Sequence, residues 1–286
     1  MFLLEPSETP YDLRFRLANI PVRVHPMFWV LSAAMGWSAI RLGFQYVLVW
    51  IACVFVSILI HELGHVLMGR YFGTYGHIVL YSFGGLAIGS NRLYSPWQRI
   101  AVAFAGPLAG FLFLGAIFGL LWLRDPDLFL GYLELTKLSL GIPILGDEGA
   151  LLGLQRLRTQ SEMAYFLIHS LIFINLLWGL LNLLPVWPLD GGQISRDLFS
   201  GLSPGNGARS AYGLSFVVSG LLAVNALLVT TSGHALPILD RIPYVQDMEG
   251  MWTIFLFGSL AFNSYQALQF ENQRRPWERD DGFWDR

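Results

Sequence analysis

The residues His61, Glu62 and His65 form a His-Glu-Leu-Gly-His pattern inside the apolar stretch of residues 47–68. In a helix, side chains at positions i and i+4 lie on one face, so both imidazoles can bind the same metal ion while the glutamate stands beside it as a base. Zinc suits this set of donors. Ionisable groups inside a membrane span are costly and usually functional, so the location strengthens the prediction of a metal site.

A catalytic zinc site needs a third protein ligand and an open coordination position. The histidine-rich extension of the metzincin pattern is absent, because Met68 and Tyr71 stand where glycine and histidine are required. Two acids at the ends of other predicted helices are alternatives for the third ligand, Glu162 and Asp190. Asp190 follows two helix-ending prolines and precedes two glycines, a composition typical of a broken helix beside a polar site.

The elements that must position these residues are membrane helices. The chain has 286 residues, of which 54% are hydrophobic and 13% are charged, whereas about 25% charged residues is usual in soluble chains. A membrane span needs about 20 largely apolar residues. The sequence predicts an all-α polytopic membrane protein with six transmembrane helices, at residues 26–42, 46–72, 96–123, 162–185, 210–231 and 250–268.

Two short segments between the helices have the composition of strands. Residues 73–92 are glycine-rich and too short to span the membrane, and residues 77–89 predict a short β-hairpin after the second helix, turning at Gly84 and Gly85. Partial alternation over residues 13–24 predicts a short strand in the N-terminal segment. An open sheet edge cannot face lipid, so the hairpin must pack on protein or line a wet cavity.

The charge pattern predicts the orientation of the chain. With six spans, twelve of the 18 basic residues lie on the side that holds both termini, so both termini are expected in the cytosol. This gives a cytosolic segment of residues 1–25, a transmembrane metalloprotease domain of residues 26–268 and a charged cytosolic tail of residues 269–286. The net charge of −2 and the absence of a long basic run exclude nucleic acid as a partner, and the single Cys53 excludes an internal disulfide.

Four motifs in this order and spacing resemble the site-2 protease family of intramembrane zinc metalloproteases, in its compact form without PDZ or CBS domains. They are residues 61–65 on an apolar helix, Ser-Phe-Gly-Gly at 82–85, Ala-Gly-Pro at 105–107 and Asn-Leu-Leu-Pro-Val-Trp-Pro-Leu-Asp-Gly-Gly at 182–192. The resemblance covers residues 15–200. It implies an integral protein of the cell membrane that hydrolyses peptide bonds of transmembrane protein substrates within the lipid bilayer, in regulated intramembrane proteolysis.

The resemblance also implies roles for individual residues. Asp190 becomes the third ligand of one Zn²⁺ per chain, beside His61 and His65. Glu62 becomes the catalytic base that activates water, and Asn182 orients the substrate or stabilises the oxyanion. One departure is Gly110, where many members have asparagine; the small-residue series formed by glycines 106, 110, 115 and 119 predicts close helix packing there instead.

Two alternatives remain beside an intramembrane protease of this family. A protease of the CAAX-processing type would need a Glu-x-x-x-Asp helix, but Glu162 is followed four residues later by Phe166. A non-catalytic membrane scaffold or metal transporter would more often spread ionisable groups over several spans or show related halves. The oligomeric state and the identity of the substrate are open at this level.

Overall fold

A computed structural model describes residues 6–82, 84–89, 93, 95–142, 148–203, 205–239 and 250–273 of the chain. Helices dominate this part. They are α1 (Pro26–Met35), α2 (Phe44–Tyr71), α3 (Pro96–Arg124), α4 (Pro126–Ser139), α5 (Glu148–Leu157), α6 (Glu162–Asn182), α7 (Asp190–Leu202), α8 (Gly207–Ser232) and α9 (Met251–Gln273). The strands are β1 (Leu13–Leu17), β2 (Ile20–Val24), β3 (Gly76–Tyr81) and β4 (Gly84–Gly89).

Four helices, α2, α3, α6 and α8, are long and apolar enough to cross a membrane, and each coincides with a predicted span. The first predicted span is shorter than expected, because α1 ends at Met35 and a 3₁₀ segment, Trp37–Arg41, follows it. Ten helical residues extend about 15 Å, roughly half of the hydrocarbon core. The sixth predicted span falls on α9, which extends beyond it and is not among the four. The count of six crossings therefore stays a prediction.

The four strands form one sheet in the order β1-β2-β3-β4. The β1–β2 and β3–β4 pairs are antiparallel, while β2 and β3 are parallel. The N-terminal segment therefore contains two strands where one was predicted, and the positive φ angles of Ala18 and Asn19 form the turn between them. Tyr81 pairs with Gly84, so the β3–β4 turn precedes the two glycines instead of falling on them.

The sheet packs on the membrane helices through an apolar core. Ile20, Val24 and Leu80 of the sheet are fully buried in the same cluster as Cys53 and Ile58 of α2. This burial fixes β3, and with it β4, against the face of α2 that carries the two histidines. Helices α4 and α5 pack against each other beside α3. Their backbones approach so closely at Gly131 and Gly153 that a Cβ atom at either glycine would overlap the backbone of the other.

The charged tail predicted for residues 269–286 lies largely outside the described residues. Its first part, up to Gln273, continues α9 as helix beyond the predicted end at residue 268. Glu271 in this last turn is buried and has an interaction partner, so the first residues of the predicted tail belong to the packed protein.

Candidate metal centre

The two histidines of α2 present their rings to one point. His61 and His65 are 3% and 8% exposed, and their Nε2 atoms lie 3.2 Å apart. Their rings are close to perpendicular, with centroids 4.8 Å apart. This is the arrangement that the i, i+4 spacing on a helix predicts.

A backbone group of α3 fixes the orientation of the second histidine. His65 Nδ1 lies 2.7 Å from the carbonyl oxygen of Val102. A carbonyl oxygen can only accept, so Nδ1 carries the proton and, in the neutral ring, Nε2 carries the lone pair. Ligand histidines in metal sites are held in this way by a backbone carbonyl or a carboxylate.

Asp190 completes the cluster from α7. Its Oδ2 lies 3.1 Å from His61 Nε2, and its Oδ1 lies 3.4 Å from His65 Nε2. One donor atom from each of these three buried residues falls within 4.8 Å of the others. The two prolines before Asp190 end α6 and turn the chain, so that α7 begins at the carboxylate itself.

The donor set fits a zinc ion. Asp190 Oδ2 is buried and accepts no hydrogen bond from the described residues, although His61 Nε2 is near. A buried carboxylate oxygen without a donor is costly unless a cation or another group satisfies it. Two imidazole nitrogens and one carboxylate are also the ligand set of several catalytic zinc sites, which leave a fourth position open.

Glu62 lies beside this cluster and beneath the sheet. It is 5% exposed and engaged in interactions within the protein. A Cβ atom added to Gly85 of β4 would overlap the Glu62 side chain. The strand can therefore cover this carboxylate only because residue 85 has no side chain.

A cavity of about 410 Å³ opens onto the cluster. Its wall includes Asn182, the last residue of α6, which is 7% exposed. Asn182 Nδ2 donates to the carbonyl oxygen of Trp178 at 2.9 Å. That bond uses one of the two amide hydrogens. The structure thus brings Asn182 into the same cavity as His61, Glu62 and Asp190.

Glu162, the other acid considered as a third ligand, lies elsewhere. It begins α6, at the opposite end of that helix from Asn182, and accepts a hydrogen bond from Tyr46 at 3.3 Å. Among the described residues the metal-binding group consists of His61, His65 and Asp190 and does not include Glu162.

Comparison with known families accounts for the same set of motifs. Residues 49–224, more than half of the chain, match the model of peptidase family M50, the family of site-2 proteases. The chain belongs to this family. The four helices that are long and apolar enough to cross a membrane agree with this membership. Curated relatives in this family are zinc metalloproteases, and the grouping of His61, His65 and Asp190 is compatible with their zinc.

Individual relatives cover different parts of the chain. A zinc metalloprotease of Methanocaldococcus jannaschii is 28% identical over 78% of this chain and 58% of its own length. Stage IV sporulation protein FB of Bacillus subtilis is 27% identical over 63% of this chain and 48% of its own length. The chain thus spans about half the length of these relatives. Among solved structures, the site-2 protease from Methanocaldococcus jannaschii has a TM-score of 0.49 and 22% identity, covering 90% of this chain and 95% of that one.

The cavity wall also contains residues that were not predicted from the sequence as site residues, and we consider three of them: Arg99, Trp178 and Asp197. Two of them had a usable signal. Trp178 is four residues before Asn182 on α6, and Asp197 is seven residues after Asp190, so each shares a helix face with a predicted site residue. Arg99 belongs to another helix, and only the packing of α3 against α7 brings it to the cavity.

Proposed function

We propose that the chain is an intramembrane zinc metalloendopeptidase that hydrolyses peptide bonds of membrane-spanning proteins. The main observation behind this proposal is that the buried side chains of His61, His65 and Asp190 meet beside Glu62 in one cavity. Three of the helices that build this cavity, α2, α3 and α6, are long and apolar enough to span a membrane. A soluble substrate would not reach a site so placed, whereas a segment of another membrane protein would.

Five residues of the cavity have a role in this proposal. His61, His65 and Asp190 would hold the zinc ion, which when bound would polarise a peptide carbonyl and lower the pKa of its bound water. Glu62 accepts the proton of the attacking water at its carboxylate and passes it to the leaving amide nitrogen. Asn182 donates its second amide hydrogen to the carbonyl oxygen as negative charge develops there.

The sheet supplies a place for the substrate. A helical substrate has all its amides paired internally, so it must unwind before a carbonyl can enter the site. Among the described residues β4 pairs only with β3, so the other edge of β4 is available for strand addition. Gly85 brings β4 into contact with the Glu62 side chain. In this proposal an extended substrate segment pairs with the edge of β4.

The depth of the site in the membrane is inferred from its position along α2. His61 lies nine residues before Arg70, or roughly 13 Å along α2 from its basic end. With the positive-inside pattern of the sequence, this end and both termini face the cytosol, and the site lies within the membrane on its cytosolic half. The enzyme then acts in regulated proteolysis at the cell membrane.

Substitution of the proposed base tests the function. E62Q keeps nearly the same volume but cannot accept a proton, so the purified variant should retain its zinc and lose cleavage of a co-expressed single-span membrane protein. E162Q, which changes a glutamate at the far end of α6, should retain both. If E62Q bound zinc and cleaved the substrate fully, Glu62 would be rejected as the base. If the native protein bound zinc but cleaved no substrate, a scaffold or a transporter would be favoured.

The strand-addition step has its own test. Replacing residues 82–85 by a sequence that cannot form the β3–β4 turn should abolish cleavage while the zinc content stays unchanged, since none of the three ligands lies in this segment. Undiminished cleavage by that variant would remove the sheet from the proposal and leave the metal centre as it is.

A further inference from the structure

The cavity contains a second charged cluster, which the proposed reaction does not use. Asp197 of α7 is buried, with its side chain 5% exposed. Its Oδ2 lies 3.1 Å from Arg99 Nε of α3, and its Oδ1 lies 3.1 Å from Arg196 Nη2. A buried carboxylate paired in this way is expensive to leave without its partners.

This ion pair and the metal centre lie at the two ends of the same helix contact. Asp197 follows Asp190 by seven residues, and Arg99 precedes Gly106 by seven residues. Seven residues are two helical turns, so each pair shares one face and is separated by roughly 10 Å along its axis. Gly106 lies against the rings of His61 and His65. Helices α3 and α7 are therefore joined at one end around the ligands and at the other end by Arg99 and Asp197.

Other polar contacts of the first turns of α7 are few: Gln193 Nε2 donates to the Pro188 carbonyl at 3.3 Å, and Arg196 hydrogen-bonds to Tyr212 of α8. Leu189, at the N-cap, makes no side-chain capping bond, and Asp190 Oδ2 has no hydrogen-bond donor among the described residues. Apart from the contacts of Asp190 with the histidines, the pair between Arg99 and Asp197 is the ion pair that joins α7 to another helix in the described part of the chain. Arg196 also lies 5.4 Å over the ring of Trp187, in the loop before α7.

We propose that Asp197 and Arg99 are positioning residues for the metal centre: their ion pair sets the rotation and height of α7 on α3 and thereby holds Asp190 at the third ligand position. This inference rests on the proposed zinc site. Neither residue is a ligand. Their removal acts on the metal through the geometry of α7, so we expect zinc affinity to fall about tenfold, the lower end of the effect of residues that support ligands.

Two variants separate positioning from a simple effect of charge. D197N removes a negative charge near the zinc ion, so it would weaken zinc binding whether Asp197 acts by positioning α7 or only through its charge. R99Q removes a positive charge from the same cavity, so through-space electrostatics alone would strengthen zinc binding. Loss of the clamp between α3 and α7 instead predicts weaker binding in R99Q. The double variant should lose no more zinc affinity than D197N alone, because both substitutions break the same ion pair.

The experiment is a chelator competition for zinc with the purified full-length chain in detergent, combined with thermal unfolding. The matched control is D125N, which breaks the 2.7 Å pair between Asp125 and Arg156 at the far end of α3. We expect weaker zinc binding in D197N and R99Q, native affinity in D125N, and recovery towards native affinity in D197E. A purely structural pair would lower the unfolding temperature and leave the zinc affinity of the folded protein unchanged.

The outcomes distinguish this inference from the proposed function. Native zinc affinity in both D197N and R99Q, or tighter binding in R99Q, would overturn the positioning role and leave the zinc site standing. A native chain that binds no zinc would overturn the zinc site and the positioning role together. If D197N does not fold, R99Q alone decides, because Asp197 then keeps Arg196 as a partner.

Discussion

Gly106 of α3 lies directly against the imidazole of His65, so close that a Cβ atom at position 106 would overlap His65 Nε2. The same Nε2 faces His61 and Asp190. The backbone of α3 therefore forms one wall of the metal centre, and it also supplies the Val102 carbonyl that holds the other side of the His65 ring. The Ala-Gly-Pro motif of α3 is thus part of the site although none of its side chains is a ligand.

Substitution of this glycine tests the close approach. In G106A the new methyl group would displace the His65 ring, and we expect zinc affinity to fall by about 10- to 100-fold, as when a supporting residue of a metal site is lost. The matched control on the same helix is G110A, whose methyl group would meet Asn175 Oδ1 at 3.7 Å, an ordinary contact. Zinc content by atomic absorption and affinity by chelator competition measure the difference. Equal zinc binding in the two variants would show that α3 can shift at position 106 to accommodate a methyl group.

The contact between β4 and the proposed base makes a second prediction. In G85A the added methyl group would collide with the Glu62 side chain, so either the strand or the carboxylate must move. Because a displacement of about 1 Å in a catalytic group can cost about 100-fold in rate, we expect a large loss of kcat with zinc retained. The measurement is the rate of substrate cleavage at matched zinc content.

The neighbouring glycine is the control for that change. A Cβ atom at Gly84 would meet the Trp178 ring at 3.5 Å, which is normal van der Waals contact. G84A should therefore keep most of its activity. If G84A and G85A lost activity to the same extent, the effect would come from the sheet as a whole and not from pressure on Glu62.

Most of the fold that could be predicted follows from local sequence patterns. The helices α2, α3, α6 and α8 follow from long apolar runs, since each must satisfy its own backbone in lipid. The length of α1 and the number of strands before it depend instead on the backbone conformation of a few residues. Two consecutive positive φ angles, at Ala18 and Asn19, turn one alternating segment into two paired strands. The parallel pairing of β2 with β3 joins segments separated by α1 and α2, and no local pattern encodes it.

The metal centre was predictable where it depended on spacing within one helix and less so where it depended on packing. The pairing of His61 with His65 follows from their i, i+4 positions, whereas only tertiary packing brings Asp190, and not Glu162, next to them. The glycine series of α3 shows the same limit. Position 106 is a close contact as expected, whereas an added Cβ at position 115 or 119 meets no atom of the described residues within 4 Å, so close packing at those two positions stays a prediction.

The choice of third ligand gives a direct prediction. D190N removes the charge and weakens the donor while preserving shape, so the purified protein should lose most of its zinc and its cleavage activity. E162Q changes the alternative acid, which is bonded to Tyr46 and lies outside the cluster, and its zinc content should equal that of the native chain. Zinc retained in D190N and lost in E162Q would exchange the roles of the two acids.

The docking of the N-terminal segment predicts a response to acid. Burial raises the pKa of Asp12, but hydrogen bonds from Thr9 and the contact with Arg23 lower it more, and its pKa falls from 3.8 to about 2. Because the folded pKa lies below the unfolded one, the stabilisation is complete above pH 3.8 and is lost as the pH falls through about 2.

We therefore expect protection of the β1 and β2 amides from hydrogen exchange, corrected for the intrinsic rate, to stay constant from pH 7 to pH 4 and to decline below it. D12N should be less protected from pH 7 to pH 4 and should lack this decline, because it has no group to titrate, so the two profiles should converge below about pH 2. E8Q is the matched control, since the pair of Glu8 with Arg14 is exposed and such surface pairs contribute little. A native profile in D12N would mean that the segment is held by the buried Arg23 and its apolar neighbours alone.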